Sequence, residues 1–106
     1  MITAQITITP WPDDLPPNRQ GIEELIQAEG VSYYQWSNGP GDVYPAHQHA
    51  FHKIIFVVKG SITFGLPDEN RSVGLSAGDR LDLPAGIQHN AVVGDSGVIC
   101  LEGHRT

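Results

Sequence analysis

Cysteine is almost missing from this chain: Cys100 is the only one in 106 residues. A lone thiol closes no internal disulfide, and a cysteine cage for zinc is excluded. Basic side chains are scarce as well, six Lys and Arg against twelve Asp and Glu, for a net charge of −6. No patch of that composition neutralises a row of phosphates, so nucleic acid and anionic membrane surfaces are excluded as partners. Long apolar runs are absent too. Ile54 to Val58 is typical, against the roughly 20 residues that a membrane span needs. The first residues, Met1 to Gln5, carry neither a basic region nor an apolar signal core, and the expected location is cytoplasmic. A chain this short has apolar material for one core only, so residues 1–106 are expected to form a single domain. What it does have is turn formers, twelve Gly and eight Pro, and five histidines, of which His47, His49 and His52 fall within six residues. That composition belongs to a turn-rich, mostly β protein, not to a helical bundle.

Local patterns fill in this outline. Ile2 to Thr9 alternates apolar and polar residues, the period of a half-buried strand, and Pro10-Trp11-Pro12 stops it. One helix is predicted over Asn18 to Glu29. Asn18 caps it, Ile22, Leu25 and Ile26 form its apolar stripe, and Gly30 ends it; Gly21 in the first turn works against it. From Val31 onward the chain reads as short strands between turns: Val31–Trp36, Val43–His49, Lys53–Val58, Ser61–Leu66, Arg71–Leu75, Leu81–Leu83, His89–Val93 and Val98–Glu102. Lys59-Gly60 and Gly94 to Gly97 read as turns between separate strands. Many short strands at this spacing predict a sandwich or small antiparallel barrel, wide enough inside for one small ligand or ion.

His47 and His49 stand two apart on a predicted strand, which places both imidazoles on one face. Such a pair suits two neighbouring ligands of one ion, and neutral imidazole binds Zn, Cu, Fe or Ni. Alternating histidines also line polar sheet faces without any metal.

The wider context bears on that choice. Gly41-x5-His47-x-His49-x3-Lys53-x6-Gly60, followed by Gly78-x5-Pro84-x-Gly86-x2-His89, resembles the paired motifs of the cupin superfamily. Residues 41–60 hold the first and 78–93 the second, behind an N-terminal part, 1–37, of strand, helix and aromatic strand. The resemblance implies an all-β, antiparallel jelly-roll barrel with one short N-terminal helix. It also implies one divalent transition metal per barrel (Zn, Fe, Ni or Mn), with His47 and His49 as ligands and His89 arriving from another strand.

This sequence departs from the family pattern at two positions. The family's glutamate falls at Lys53, and an ammonium repels a divalent cation. His52 is adjacent, and a one-residue bulge turns it inward as a fourth ligand. Three arrangements stay open here: three histidines with Lys53 beside the pocket, four histidines, or no physiological metal. Strand parity does not choose, because both faces of His52 to Val58 are largely apolar. The second motif's closing asparagine is Val93, a change that bears on packing or substrate contact more than on the ion.

Gln88, Phe51, Trp36 and Tyr34 join Lys53 as pocket candidates, and Lys53 is the one catalytic candidate. Cys100 reads as buried filler, His104 as a solvated tail residue, and Arg80 with Asp82 as a solvent-exposed pair. The expected function is a small metal-dependent enzyme of dioxygenase, isomerase or lyase type acting on a small polar molecule. The alternatives are a non-catalytic ligand-binding or sensor barrel, and a dimerising protein with a vestigial pocket. A small β domain with a free edge at Ile2–Thr9 is expected to form a homodimer.

Overall fold

In the computed structural model, which describes residues 5–105, the chain runs β1 (Thr7–Thr9), α1 (Arg19–Gln27), β2 (Tyr33–Asn38), β3 (Val43–His47), β4 (His52–Leu66), β5 (Arg71–Ser76), β6 (Arg80–Leu83) and β7 (His89–Arg105). A single 3-10 turn at Pro67–Glu69 joins β4 to β5. All the strands form one antiparallel sheet with the path β1-β6-β4-β7-β2. From this path β5 hangs on β4 and β3 on β7, and the hydrogen-bonded path does not close on itself. None of the described helices is long and apolar enough to cross a membrane. Ile2 and Ala4, half of the expected first apolar face, lie outside the described residues.

α1 forms where the capping pattern places it. The Asn18 side chain accepts a hydrogen bond from the Gly21 N–H at 2.8 Å, and Gly30 beyond the last turn has φ +72°. Gly21 has a packing reason. A Cβ there would stand 2.7 Å from the Trp11 ring, so a larger residue would push that indole off the helix. Ile22 and Ile26 are fully buried, and they pack on Ile54, Phe56 and Leu101 of β4 and β7.

The expected turns at Gly60 and at Gly94 to Gly97 do not reverse the chain. Lys53–Val58 and Ser61–Leu66 are one bent fifteen-residue strand, and His89–Val93 and Val98–Glu102 lie in one strand of seventeen. The β4–β7 ladder shifts register between Val57 and Lys59 and again between Gly60 and Ile62. Bulges bend a strand and add twist without ending its pairing. Gly60 (φ +81°) makes the bend possible, since a Cβ there would sit 2.0 Å from the Gly97 carbonyl oxygen.

These irregularities also change which residues point inward. Ile55 and Val57 face the interior before the bend, and Ile62, Phe64 and Leu66 after it. Ile54 and Phe56 face outward, under α1. β4 is therefore buried on both faces, by the interior cluster on one side and the helix on the other. Cys100 is fully buried in the interior cluster, and burial pushes its thiol pKa up to about 12. That environment leaves it an inert packing residue.

Candidate functional site

β3 and β7 pair with His47 opposite His89, which brings two distant histidines side by side. The chain leaves β3 at His47 and bends, returning the His49 ring to 4.7 Å from that of His47 and 5.4 Å from that of His89. One ring nitrogen from each of the three lies within 4.8 Å of the others.

The unused faces of these rings are oriented. His47 donates its Nδ1–H to the Pro45 carbonyl at 2.7 Å, and His89 donates its Nδ1–H to the Ile87 carbonyl at 2.9 Å. Each bond fixes the tautomer and leaves Nε2 with a free lone pair, the arrangement seen around metal-ligating imidazoles. His49 Nε2 is buried and has no hydrogen-bond partner among the described residues. A buried ring nitrogen without a partner is costly, and an ion between the three rings would satisfy it. Burial lowers the pKa of His49 and of His89, with Lys53 and the neighbouring histidines acting in the same direction. Both therefore favour the neutral form that binds metal. The donor set fits a divalent transition metal ion, and the three histidines together can hold one.

His52 is not in this cluster. It faces outward on β4 and donates from Nε2 to Asp82 at 3.0 Å. Asp82 also accepts from Arg80 at 2.7 and 3.0 Å, and Arg80 reaches Glu29 at the end of α1 at 2.7 Å. Arg80 and Asp82 are thus neighbours on one strand and half-buried under the helix, not a free solvent-exposed pair. The Arg80 guanidinium also lies 5.5 Å above the Phe56 ring.

Lys53 points the other way, into a cavity of about 220 Å³ beside the histidines. Tyr34, Trp36 and Tyr44 line one wall of it, and Ile55, Ile62 and Phe64 form an apolar floor. Gln88 and Phe51 are not among the lining residues. Phe51 instead stacks on His49 at 5.1 Å and packs at a tilt against His104 at 4.2 Å.

Glu102, which lies outside both sequence motifs, is the central polar group of the cavity. It is 2% exposed. It accepts hydrogen bonds from Tyr34 (2.8 Å), Trp36 (3.0 Å) and His104 (2.5 Å), and the Lys53 ammonium stands 3.2 Å away. Burial alone would raise its carboxyl pKa. The bonds from His104 and Tyr34 and the charge of Lys53 outweigh that effect and hold it below the ordinary carboxylate range. Tyr34 moves the opposite way: burial and the adjacent carboxylate push its hydroxyl up to about 12. His104 is part of β7 and of this network, not a solvated tail. One signal for Glu102 was present in the sequence, since it shares strand parity with the apolar Val98 and Cys100.

No family model matches the chain, and no curated protein sequence does. Solved structures do. The DMSP lyase DddQ from Ruegeria pomeroyi is similar at 26% identity and TM-score 0.65, over 72% of this chain and 38% of that protein. The polyketide cyclase RemF from Streptomyces resistomycificus matches at 25% identity and TM-score 0.65, over 70% of this chain and 53% of that one. An RmlC-like cupin from Shewanella frigidimarina matches at 22% and TM-score 0.60, over 70% and 64%. The chain thus spans less than two thirds of each of these relatives. What these structures share with the chain is the fold, and the chain has the jelly-roll fold of a small cupin domain.

Proposed function

We propose that His47, His49 and His89 hold one divalent transition metal ion (Zn, Fe, Ni or Mn), and that the protein transforms a small polar molecule in the adjoining cavity. The observation that carries this is the buried, unpartnered His49 Nε2 in a cluster whose other two rings are tautomerically fixed by backbone carbonyls. When bound, such an ion supplies Lewis acidity or, for a redox metal, a site for dioxygen. The rest of the chemistry falls to the chain's own side chains. Ionised Glu102 uses Oε2 to hold the Lys53 ammonium and the Tyr34 hydroxyl in place at the cavity. Tyr34, protonated throughout the physiological range, donates its hydroxyl hydrogen toward the same oxygen. Ile55, Ile62 and Phe64 keep the floor dry, which strengthens every polar contact above it. At about 220 Å³ the cavity lies below the roughly 300 Å³ at which sites for drug-sized ligands begin, so the substrate is small. That a lyase and a cyclase occur among the similar structures supports the enzymatic reading.

Binding without turnover is the second reading, and one observation favours it: four donors already hold Glu102 in place. Metal analysis of protein purified without chelator and then offered zinc tests the shared foundation. The expected content is about one equivalent per chain, and less than about a tenth after reconstitution overturns the metal site.

A further inference from the structure

We infer that the cavity is built to receive a small carboxylate or similar oxyanion, lodged between the Lys53 ammonium and the three-histidine cluster. The location of the ligand rests on the metal-site reading above, whereas the role of Lys53 stands on its own geometry.

The donors and acceptors of the cavity are unequal. Lys53 carries three N–H donors on one charge. Its side chain is 13% exposed, it lines the cavity, and among the described residues its one acidic partner is Glu102. Glu102 has no comparable capacity to spare. His104 and Tyr34 occupy Oε2, Trp36 occupies Oε1, and Lys53 approaches Oε2. A ligand entering the cavity therefore meets unspent positive donors and a saturated carboxylate.

The ligand set at the other end is equally one-sided. Three imidazoles carry no negative charge, and none of the described carboxylates belongs to the cluster. An ion held there keeps its full charge, because the position where the family pattern has a glutamate is Lys53. In a partly buried cavity an uncompensated cation attracts an anion more strongly than it would in water. The walls between the two ends are aromatic and aliphatic, so a short apolar or aromatic body fits behind the charged head.

Calorimetric titration with isosteric probe pairs tests this: benzoate against benzamide, and butyrate against butyramide, on zinc-loaded and zinc-free protein whose metal content is measured first. Each carboxylate is expected to bind at least about tenfold more tightly than its amide to the zinc-loaded protein. Glu102→Gln frees the ammonium from its internal counter-ion and is expected to strengthen carboxylate binding several-fold. Lys53→Met is expected to abolish the preference in zinc-free protein and reduce it in zinc-loaded protein. Should Lys53→Met fold poorly, the charge-balanced double variant Lys53→Met/Glu102→Gln serves in its place. Equal binding of acid and amide by protein that holds zinc, or binding of neither, overturns the inference and leaves the metal site standing. Failure to hold zinc, with the preference for carboxylate kept in the zinc-free protein, overturns the metal site and leaves the Lys53 anion site standing.

Discussion

Lys53 and Glu102 meet inside the barrel from the two longest strands, ammonium to carboxylate at 3.2 Å, with their side chains 13% and 3% exposed. The β4–β7 register pairs Lys53 with His104 and Ile55 with Glu102, so the ion pair is diagonal and spans one step of the ladder. The pair lies beside the three-histidine cluster, and the cation occupies the position where the family motif has an acid.

A buried pair costs most when it is broken from one side. Lys53→Met leaves the Glu102 charge without its cation, and a loss of about 3 kcal/mol is expected. The double variant Lys53→Met/Glu102→Gln removes both charges and is expected to recover more than half of that loss. Urea denaturation of wild type, both single variants and the double variant measures the coupling. Additive losses would show that the two side chains act independently.

Metal retention separates His89 from His52, whose place as a fourth ligand the sequence left open. His89→Ala removes a ring from the cluster and is expected to lower zinc affinity by at least about a hundredfold. His52→Ala removes only a partner of Asp82 on the outer face, and its zinc affinity is expected to match wild type within about threefold. Competition titrations against a chromogenic chelator read both variants. A large loss in His52→Ala would place that residue in the ligand shell.

Acid sensitivity follows from the outer network. The hydrogen bond from Arg80 lowers the Glu29 pKa from an ordinary 4.5, against burial and with help from Arg105. At Asp82 burial acts upward, but the bonds and charges of Arg80 and His52 prevail and lower it from an ordinary 3.8. Groups depressed in the folded state stabilise it fully above those ordinary values, and the contribution fades as pH falls through the lowered ones. Between pH 7 and pH 3 the melting temperature of wild type is therefore expected to fall more than that of Asp82→Asn. At pH 7 the variant is expected to melt about 5 °C lower than wild type. Parallel pH profiles for the two proteins would disprove this assignment.

Gly60 tests the bend. With φ +81° and its missing Cβ aimed at the Gly97 carbonyl, Gly60→Ala is both strained and blocked. It is expected to cost more than about 2 kcal/mol. Gly30→Ala, with positive φ but nothing within 4 Å of the added carbon, is expected to cost about 1 kcal/mol. The comparison isolates close backbone approach from left-handed strain, and chemical denaturation reads it.

Local chemistry made much of this protein legible. The Asn18 cap, the Ile22 and Ile26 stripe and Gly30 mark α1 because capping and periodicity act over a few residues. The His47 and His49 spacing is likewise a short-range pattern, whereas His89 was tied to that pair only through the resemblance of the two motifs to the cupin pattern. Gly60 and Gly97 misled as turn signals. A positive-φ glycine reverses a chain or bends a strand, depending on what its neighbours pair with.

The sequence by itself determined an acidic, single-cysteine, mostly β chain with three histidines in barrel-motif positions. Only the tertiary structure decided which way His52 and Lys53 face. α1 covers the outer surface of β4, so both faces of that strand are apolar and hydrophobic alternation carries no sign. Glu102 stayed hidden for a related reason: its partners Tyr34, Trp36 and Lys53 lie at least 49 residues away in the chain. What holds a buried carboxylate is a set of donors delivered by three different strands, and no local pattern records such a meeting.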